Sequence, residues 1–165
     1  MKRKLYSTAY HEAGYALACL LVSKKFKHVT IKPVGTASGY VQQKKSKNLW
    51  LDFETITDPA HFNKFFIEDF INISGFIAQK MYEGKGDFKD EKSDISKIMD
   101  STLHKLSERF ITNYNNFMVE YTYAVFSKEI NWLRITAIAE SLIKKEVLSY
   151  ADVIDITQNA MQTRF

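Results

Sequence analysis

The spacing of apolar residues from Thr8 to Val22 predicts the first element of this chain, an amphipathic helix. Ser7 directly precedes the run and is a candidate N-cap, since its hydroxyl can accept a hydrogen bond from a free backbone N–H. Gly14 lies inside the predicted helix, where glycine costs about 1 kcal/mol relative to alanine. We therefore expect another part of the backbone to approach closely at Gly14.

Alternating apolar and polar residues predict a small sheet after this helix. His28 to Lys32 alternates in this way, and Pro33 ends the predicted strand. Gly35 to Gly39 is rich in turn residues and leads to a second strand from Tyr40 to about Lys44, so we expect an antiparallel hairpin. A weaker pattern indicates a third strand from Trp50 to Thr55.

Helical spacing returns after Asp58-Pro59, a dipeptide that is typical of a helix start. Gly84 predicts the end of this second helix, because glycine readily adopts the left-handed conformation that closes a helix. The charged stretch from Gly86 to Lys92 is expected to form a flexible loop. The predicted core stripe of the helix consists of Phe62, Phe66, Phe70, Ile73, Ile77 and Met81.

A third helix is predicted to begin at Ser93, whose hydroxyl can cap it. Asn113 to Asn116 are expected to interrupt the helical pattern that follows, because asparagine is a poor helix former. The predicted core face of this helix consists of Ile95, Ile98, Met99, Leu103, Leu106 and Phe110.

The chain then returns to helical spacing from Phe117 to Lys145, predicted as one continuous helix. Ser149 and Asp152 resemble a capping box, with Asp in place of Glu, and open a last helix that reaches about Met161. The elements together predict a mainly α fold with a small antiparallel β-sheet, an α+β class. The predicted core contacts of the long helix are Tyr121, Val125, Trp132, Ile135, Ile138, Ala139 and Leu142.

The composition fits a single domain spanning residues 1–165. Hydrophobic residues make up 45% of the chain and charged residues 25%, and no Pro- or Gly-rich linker divides it. The longest nearly apolar run, Tyr15 to Val22, is far shorter than the about 20 residues of a membrane span, so no transmembrane segment is expected. Cys19 is the single cysteine, which fits a buried thiol in a cytoplasmic protein.

The chain is basic, with a formal net charge of +4, and this allows weak attraction to anionic partners. No recognised nucleic-acid-binding motif accompanies the basic residues, so we interpret them as solvated loop lysines and expect no specific nucleic acid. The local lysine clusters are Lys24, Lys25 and Lys27, and then Lys44, Lys45 and Lys47.

The segment with the clearest chemical pattern runs from Thr8 to Tyr15 and reads Thr-Ala-Tyr-His-Glu-Ala-Gly-Tyr. In the zinc-hydrolase motif His-Glu-x-x-His, two histidines one helical turn apart bind the metal. The glutamate between them holds the attacking water and takes its proton. This chain keeps His11 and Glu12 but has Tyr15 at the second histidine. A phenol with an ordinary pKa of about 10 is a poor zinc ligand at neutral pH.

Four segments together resemble the peptidase domain of FtsH-type ATP-dependent zinc metalloproteases. Tyr10 to Leu17 resembles the helix that opens that domain, where the pattern is His-Glu-Ala-Gly-His-Ala. Val29 to Tyr40 is similar to its strand-turn-strand segment. Gly75 to Met81 and then Ser93-Asp94-Ile95 resemble its second and third helices, and Ile138 to Ser149 its late helix and closing turn. The resemblance spans nearly the whole chain.

The resemblance implies a site for one zinc ion. It assigns His11 and Asp94 as metal ligands and Glu12 as the general base, with Tyr15 at the position of the remaining ligand. Three alternatives stay open for this position. The site holds little or no metal, another side chain replaces the lost ligand, or Tyr15 binds zinc as a tyrosinate.

The remaining histidines are the next candidates for a replacement ligand. His104 lies ten residues after Asp94 on the same predicted helix, roughly 15 Å along its axis, which is too far to share one ion. His28 begins a strand and is interpreted as structural or exposed. His61 lies in the first turn of the Asp58 helix and is the one spatially unconstrained candidate.

The resemblance implies a zinc-metallopeptidase-like protein whose peptide-bond hydrolysis is impaired or lost because Tyr15 replaces a ligand. Its expected partners are a peptide or unfolded protein substrate and either a homo-oligomer or a separate ATPase, since the chain has no Gly-x-x-x-x-Gly-Lys-Ser/Thr loop. An extended substrate is expected to add to the strand near Gly39 to Gln43. The alternative is a non-catalytic module that holds a peptide or protein in the same cleft.

Overall fold

The computed structural model describes residues 2–33, 39–43, 59–85 and 106–162. Its described helices are α1 (Lys2–Leu21), α2 (Pro59–Tyr82), α3 (Glu108–Ser127), α4 (Glu129–Lys145) and α5 (Tyr150–Gln162). Three strands, β1 (Phe26–Thr30), β2 (Tyr40–Gln43) and β3 (Val147–Ser149), form one antiparallel sheet. The predicted class, mainly α with a small antiparallel sheet, is confirmed. None of the described helices combines the length and the hydropathy that crossing a bilayer requires.

Helices α1 and α2 pack against each other in the core, and Gly14 marks a close approach of their backbones. A β-carbon at Gly14 would lie 2.6 Å from the carbonyl oxygen of Ser74 and 2.6 Å from the β-carbon of Ala78. The close approach predicted at Gly14 is therefore confirmed. Cys19, on the same helix, is fully buried, as expected of a structural thiol.

Helix α1 begins at Lys2, so the predicted start at Thr8 with Ser7 as the N-cap is wrong. Ser7 lies inside the helix, and its hydroxyl donates a hydrogen bond to Glu83 Oε1 over 2.9 Å. The rings of Tyr6 and Tyr10 both stack with that of Tyr82, with centroid distances of 6.2 and 4.2 Å. The C-terminal end of α2 thus provides packing that favours a longer α1, and the local sequence does not reveal it.

The sheet has the strand order β2-β1-β3. The predicted hairpin of β1 and β2 is confirmed, with Thr30 opposite Tyr40, although β1 begins at Phe26 rather than at His28. Strand β3 lies in the segment interpreted as a closing turn, and it pairs with the other side of β1. The strand predicted from Trp50 to Thr55 lies outside the described residues.

Glu146 turns the chain from α4 into β3. Its φ of 63° is left-handed, a conformation that non-glycine residues rarely adopt. Its carbonyl oxygen accepts hydrogen bonds from the Ile31 N–H and the Thr30 hydroxyl, both over 3.0 Å. These bonds attach the end of α4 to the first strand and explain why β3 forms there.

Helix α2 begins at Pro59 and is closed by Gly84, as predicted. Gly84 has a φ of 75°, and its N–H donates to Met81 O while the Lys85 N–H donates to Lys80 O, the two bonds of a Schellman motif. Phe62 was predicted in the core but is exposed. It lies near the start of α2, and its ring centroid is 6.3 Å from those of Phe65 and Tyr114. Phe70, Ile73 and Ile77 are buried, and Phe66 and Met81 are partly buried.

Helix α3 runs unbroken from Glu108 to Ser127, so the interruption predicted at Asn113 to Asn116 is wrong. Tyr114 and Asn115 are buried inside this helix, and packing against α2 outweighs the weak helix propensity of asparagine. The Ser107 hydroxyl accepts from the Phe110 N–H over 3.2 Å and caps the start of α3. The predicted helix start at Ser93 lies outside the described residues.

The long helix predicted from Phe117 to Lys145 is instead broken at Lys128, where ψ is 125°. The buried side-chain amide of Asn131 donates to the Val125 carbonyl oxygen over 2.8 Å and satisfies a group left free at the end of α3. Tyr121 was predicted in the core and is exposed, although its ring contacts those of Phe66 and Phe70 on α2. Ile135, Ile138, Ala139 and Leu142 are fully buried, whereas Val125 and Trp132 are partly buried.

The capping box predicted at the start of α5 is confirmed. The Asp152 N–H donates to the Ser149 hydroxyl oxygen over 3.1 Å, and the Ser149 N–H donates to Asp152 Oδ2 over 2.8 Å. The two residues therefore satisfy each other's backbone donors, which is the reciprocal pattern of this motif. The helix ends at Gln162, next to the predicted end at Met161.

Candidate functional site

A cleft of about 340 Å³ opens beside the N-terminal half of α1, where the chain enters β2. Both residues of the His-Glu pair, His11 and Glu12, line it, as predicted for a shared site. The other lining residues are Lys4, Ser7, Thr8, Gly39 and Gln79. Three elements therefore meet at the predicted pair: α1 carries it, α2 contributes Gln79, and the residue before β2 contributes Gly39.

The imidazole of His11 is held by α2. Its Nδ1 lies 3.1 Å from Oε1 of Gln79, and the Gln79 side-chain nitrogen donates to Glu83 Oε1 over 2.9 Å. Burial lowers the pKa of His11 below its ordinary value, although the hydrogen bond to Gln79 acts in the opposite direction. His11 is therefore a neutral imidazole at neutral pH, the form that binds metals or accepts a proton.

Glu12 places a buried carboxyl group in the cleft. Only 5% of the residue is exposed, and it forms no hydrogen bond within the described part of the chain. Burial raises the pKa of Glu12 to about 8, because the charged form loses its hydration. A β-carbon at Gly39 would lie 3.0 Å from Glu12 Oε1 and 2.7 Å from the Thr30 carbonyl oxygen, so glycine makes room for this carboxyl.

Tyr15 lies one turn after His11 but turns its hydroxyl away to α2. The hydroxyl donates to the Asn72 carbonyl oxygen over 2.9 Å, and the ring centroids of Tyr15 and His11 are 5.2 Å apart. Burial, with a smaller effect from the charge of Glu12, raises the pKa of Tyr15 to about 12. Ligation as a tyrosinate would require breaking this bond and ionising a phenol that its surroundings keep protonated.

Gly75 leaves the space that both rings use. A β-carbon at this position would lie 2.5 Å from two ring carbons of Tyr15 and 2.8 Å from Nε2 of His11. Real β-carbons do not come this close to other heavy atoms. The small residue on α2 therefore lets α1 pack its two aromatic side chains directly against the facing helix.

The described residues of the cleft supply only some of the donor atoms that a zinc site requires. Three or four ligands are typical of zinc. His11 provides one free imidazole nitrogen and Glu12 one carboxyl group, whereas the Tyr15 hydroxyl already donates to the Asn72 carbonyl. No group of three His, Cys, Asp or Glu side chains that could hold a metal occurs within the described ranges. The described side chains alone therefore do not complete a zinc site.

The other predicted ligands are placed as follows. Asp94 and His104 lie outside the described residues, as does the side chain of His61, so these assignments stay predictions. His28 lies on β1 with its Nε2 3.3 Å from the Tyr40 hydroxyl, across the hairpin, which fits the structural interpretation. Among the lysines, Lys24 forms an ion pair of 2.6 Å with Glu68 and is not a free loop cation.

Sequence reasoning missed the contribution of α2 to the cleft. Gln79 and Glu83 lie one helical turn apart, a spacing that permits a side-chain bond, but no pattern indicates that Gln79 faces His11. Gly14 and Gly75 gave a clearer signal, because a glycine within a helical pattern suggests that another part of the backbone approaches closely. Gly75 could have been identified as such a position in the same way as Gly14.

The chain matches none of the protein-family models against which it was scanned, and no curated protein is significantly similar to it. A function for the cleft is therefore argued from its own groups. These are a neutral imidazole, a buried carboxyl with its pKa near 8, and an adjacent strand. Such a set can accept or donate protons and bind polar groups of a ligand.

Proposed function

We propose that this chain is a zinc-metallopeptidase-like domain of the FtsH type whose hydrolytic site is degenerate at Tyr15. One observation carries the proposal. His11 and Glu12 meet in one cleft beside β2, while Tyr15, at the place of the second histidine, donates its hydroxyl to the Asn72 carbonyl. The histidine and the glutamate expected in a zinc hydrolase thus line one cleft. The residue expected to complete the zinc site instead packs against α2.

The states of the two groups support this assignment. A histidine that binds zinc must be neutral and have a free ring nitrogen, and burial keeps His11 neutral. Within the described residues Glu12 has no hydrogen-bond partner, and it lines the cleft, as a residue that exchanges protons with a substrate must. Zinc, when bound in a site of this type, supplies a Lewis acid that polarises a peptide carbonyl. Asp94 would add a carboxylate if the resemblance extends to the segment beyond the described residues.

The position of the cleft supports an extended peptide as the ligand. Strand β2 lies at one side of the described sheet, in the order β2-β1-β3, and Gly39, the residue before it, lies next to the Glu12 side chain. A peptide that pairs with the side of β2 away from β1 would form main-chain hydrogen bonds and pass next to the carboxyl. We therefore propose a peptide or an unfolded protein segment as the substrate class.

A second candidate function is peptide binding without hydrolysis, and Tyr15 specifically favours it. Its hydroxyl has a partner in the main chain, and its ring occupies the space above Gly75. The position is thus integrated into the contact between α1 and α2 rather than left open for a metal. In this case the fold keeps a cleft that binds a peptide and has lost zinc-dependent hydrolysis.

The experiment compares casein cleavage and zinc content for the wild-type chain, Tyr15→His and the double variant Tyr15→His with Glu12→Gln. We expect little cleavage and little zinc in the wild type. Tyr15→His should gain zinc, to about one ion per chain, and with it measurable proteolysis. The double variant should keep the zinc and lose the proteolysis, because it lacks the proton acceptor.

The outcomes separate the candidates. Proteolysis by a wild-type chain with a full complement of zinc would show that the site is not degenerate. Tyr15→His protein that is folded yet gains neither zinc nor activity would contradict the proposed ancestry. Binding of an unfolded peptide by a wild-type chain that does not cleave it supports the second candidate.

A further inference from the structure

We propose that Gln79, oriented by Glu83 and Ser7, is a positioning residue that fixes the tautomer of His11, with the proton on Nδ1 and the lone pair on Nε2. The inference rests on the proposed function in taking His11 as the acting group of the cleft. It goes beyond that function by assigning roles to three side chains that the motif does not contain.

The four residues form two matched pairs on facing helices. Ser7 and His11 lie one turn apart on α1, and Glu83, directly after the end of α2, lies one turn after Gln79. Three hydrogen bonds connect them in the order Ser7, Glu83, Gln79 and His11, with lengths of 2.9, 2.9 and 3.1 Å. The imidazole is therefore the last member of a continuous chain of polar groups across the contact between the helices.

The first step concerns the orientation of the Gln79 amide. Glu83 Oε1 accepts from both the Ser7 hydroxyl and the Gln79 side chain. An ionised carboxylate offers only acceptors, so the NH₂ group of Gln79 must face it. Burial raises the pKa of Glu83, but the bonds from Gln79 and Ser7 and the charges of Lys80 and Lys85 outweigh this effect. The net shift lies below the ordinary value.

The second step follows for the histidine. With its NH₂ group facing Glu83, the amide of Gln79 presents its carbonyl oxygen to Nδ1 of His11. A carbonyl oxygen accepts hydrogen bonds and cannot donate them, so Nδ1 must carry the proton. A neutral imidazole carries one proton, and Nε2 is therefore left with a free lone pair.

The third step concerns the space around Nε2. Because Gly75 has no side chain, no β-carbon fills the position 2.8 Å from this nitrogen. Histidines that bind metals usually donate their other N–H to a carboxylate or carbonyl group, which sets the ring and the tautomer. Here an amide supported by a carboxylate serves as that acceptor. The same arrangement keeps Nε2 available to a metal or to a proton.

Nitrogen NMR of protein labelled with ¹⁵N-histidine tests the assignment directly. The chain has four histidines, and a His11→Gln variant identifies the signals of interest. At a pH at which His11 is neutral, we expect the Nδ1 signal of the wild type at the position of a protonated nitrogen and the Nε2 signal at that of an unprotonated one. The reverse assignment in the wild type would overturn the proposal.

Variants test the role of each member. Gln79→Leu removes the acceptor, and we expect both nitrogen signals of His11 to shift towards values averaged between the two tautomers. Gln79→Glu keeps an acceptor and should retain the wild-type pattern. Glu83→Gln should produce an intermediate shift, because the amide of Gln79 loses the partner that orients it. Unchanged signals in folded Gln79→Leu protein would overturn the proposal.

Matched controls use exposed sites on other helices. Gln158→Leu on α5 and Glu120→Gln on α3 repeat the two chemical changes, and both should leave the His11 signals unchanged. Zinc titrations of a Tyr15→His protein, with and without Gln79→Leu, separate this inference from the proposed function. A fixed His11 tautomer in a Tyr15→His protein that binds no zinc supports the positioning role and counts only against the metallopeptidase assignment.

Discussion

The two rings that α1 presents to Gly75 show how single residues define the cleft. Tyr15 and His11 both occupy space that a β-carbon on α2 would need. One of these rings is anchored to the Asn72 carbonyl, and the other to the Gln79 amide. Gly75 is thus required at this position for packing, whatever the cleft binds.

A Gly75→Ala substitution tests this requirement. The new methyl group would lie 2.5 Å from the Tyr15 ring, so we expect a loss of about 1–3 kcal/mol in the free energy of unfolding. Urea denaturation measures this quantity. In a Tyr15→Ala background the same substitution should cost less, because the ring that it meets is gone. An equal cost in both backgrounds would show that Tyr15 is not the obstructing group.

A second residue-scale prediction concerns the buried pair of Tyr114 and Asp69. The Tyr114 hydroxyl donates to Asp69 Oδ2 over 3.0 Å, and burial together with the charge of Asp69 raises the pKa of the phenol. Tyr114→Phe removes one donor from a buried carboxyl and should lower the free energy of unfolding by about 1–3 kcal/mol. Tyr121→Phe, at an exposed position on the same helix, should change it by less than about 0.5 kcal/mol. Equal effects would contradict the importance of the bond.

At the scale of elements, the features that the sequence predicts correctly are those encoded by neighbouring residues. The hairpin, the Gly84 terminus and the Ser149–Asp152 cap all depend on short-range chemistry. The early start of α1 instead depends on Tyr82, and β3 depends on bonds from Glu146 to β1. These long-range partners leave no local pattern, and the break at Lys128 involves neither glycine nor proline.

The cap of α5 gives an element-scale prediction. Ser149→Ala removes the side-chain acceptor for the Asp152 N–H, and we expect a loss of about 1 kcal/mol in the free energy of unfolding. A Ser141→Ala variant, within α4, is the control because that residue does not cap a helix. Losses of equal size in the two variants would show that the hydroxyl of Ser149 does not act as a cap.

The cap also predicts a dependence of stability on pH. The hydrogen bonds from Ser149 lower the pKa of Asp152 below its ordinary value of 3.8. A depressed pKa means that this contribution is present in full above about pH 4 and is lost as the pH falls through the lowered value. Acid unfolding of Ser149→Ala should therefore show a smaller loss of stability in that range than the wild type does. The same dependence of the free energy of unfolding on pH in the two proteins would contradict the claim that ionised Asp152 stabilises the cap.

At the scale of the whole molecule, the fold brings one helix, its packing partner and a strand together at the His-Glu pair. The sequence identified His11 and Glu12 because they are adjacent and belong to a known motif. It could not identify Gln79 or Gly39 as their neighbours, since each comes from a distant segment. A homo-oligomer or a separate ATPase partner stays a prediction of the resemblance, as does the Asp94 ligand.

Zinc affinity measured on Tyr15→Phe, Tyr15→His and the wild type tests the central claim most directly. Phenylalanine removes the hydroxyl and keeps the ring, so we expect equally weak zinc binding by this variant and the wild type. Tyr15→His should bind zinc at least about 10- to 100-fold more tightly than the wild type. Loss of a residue that only supports a metal ligand already lowers metal affinity by that factor. Tight binding by the wild type that Tyr15→Phe abolishes would establish Tyr15 as a ligand and contradict the account.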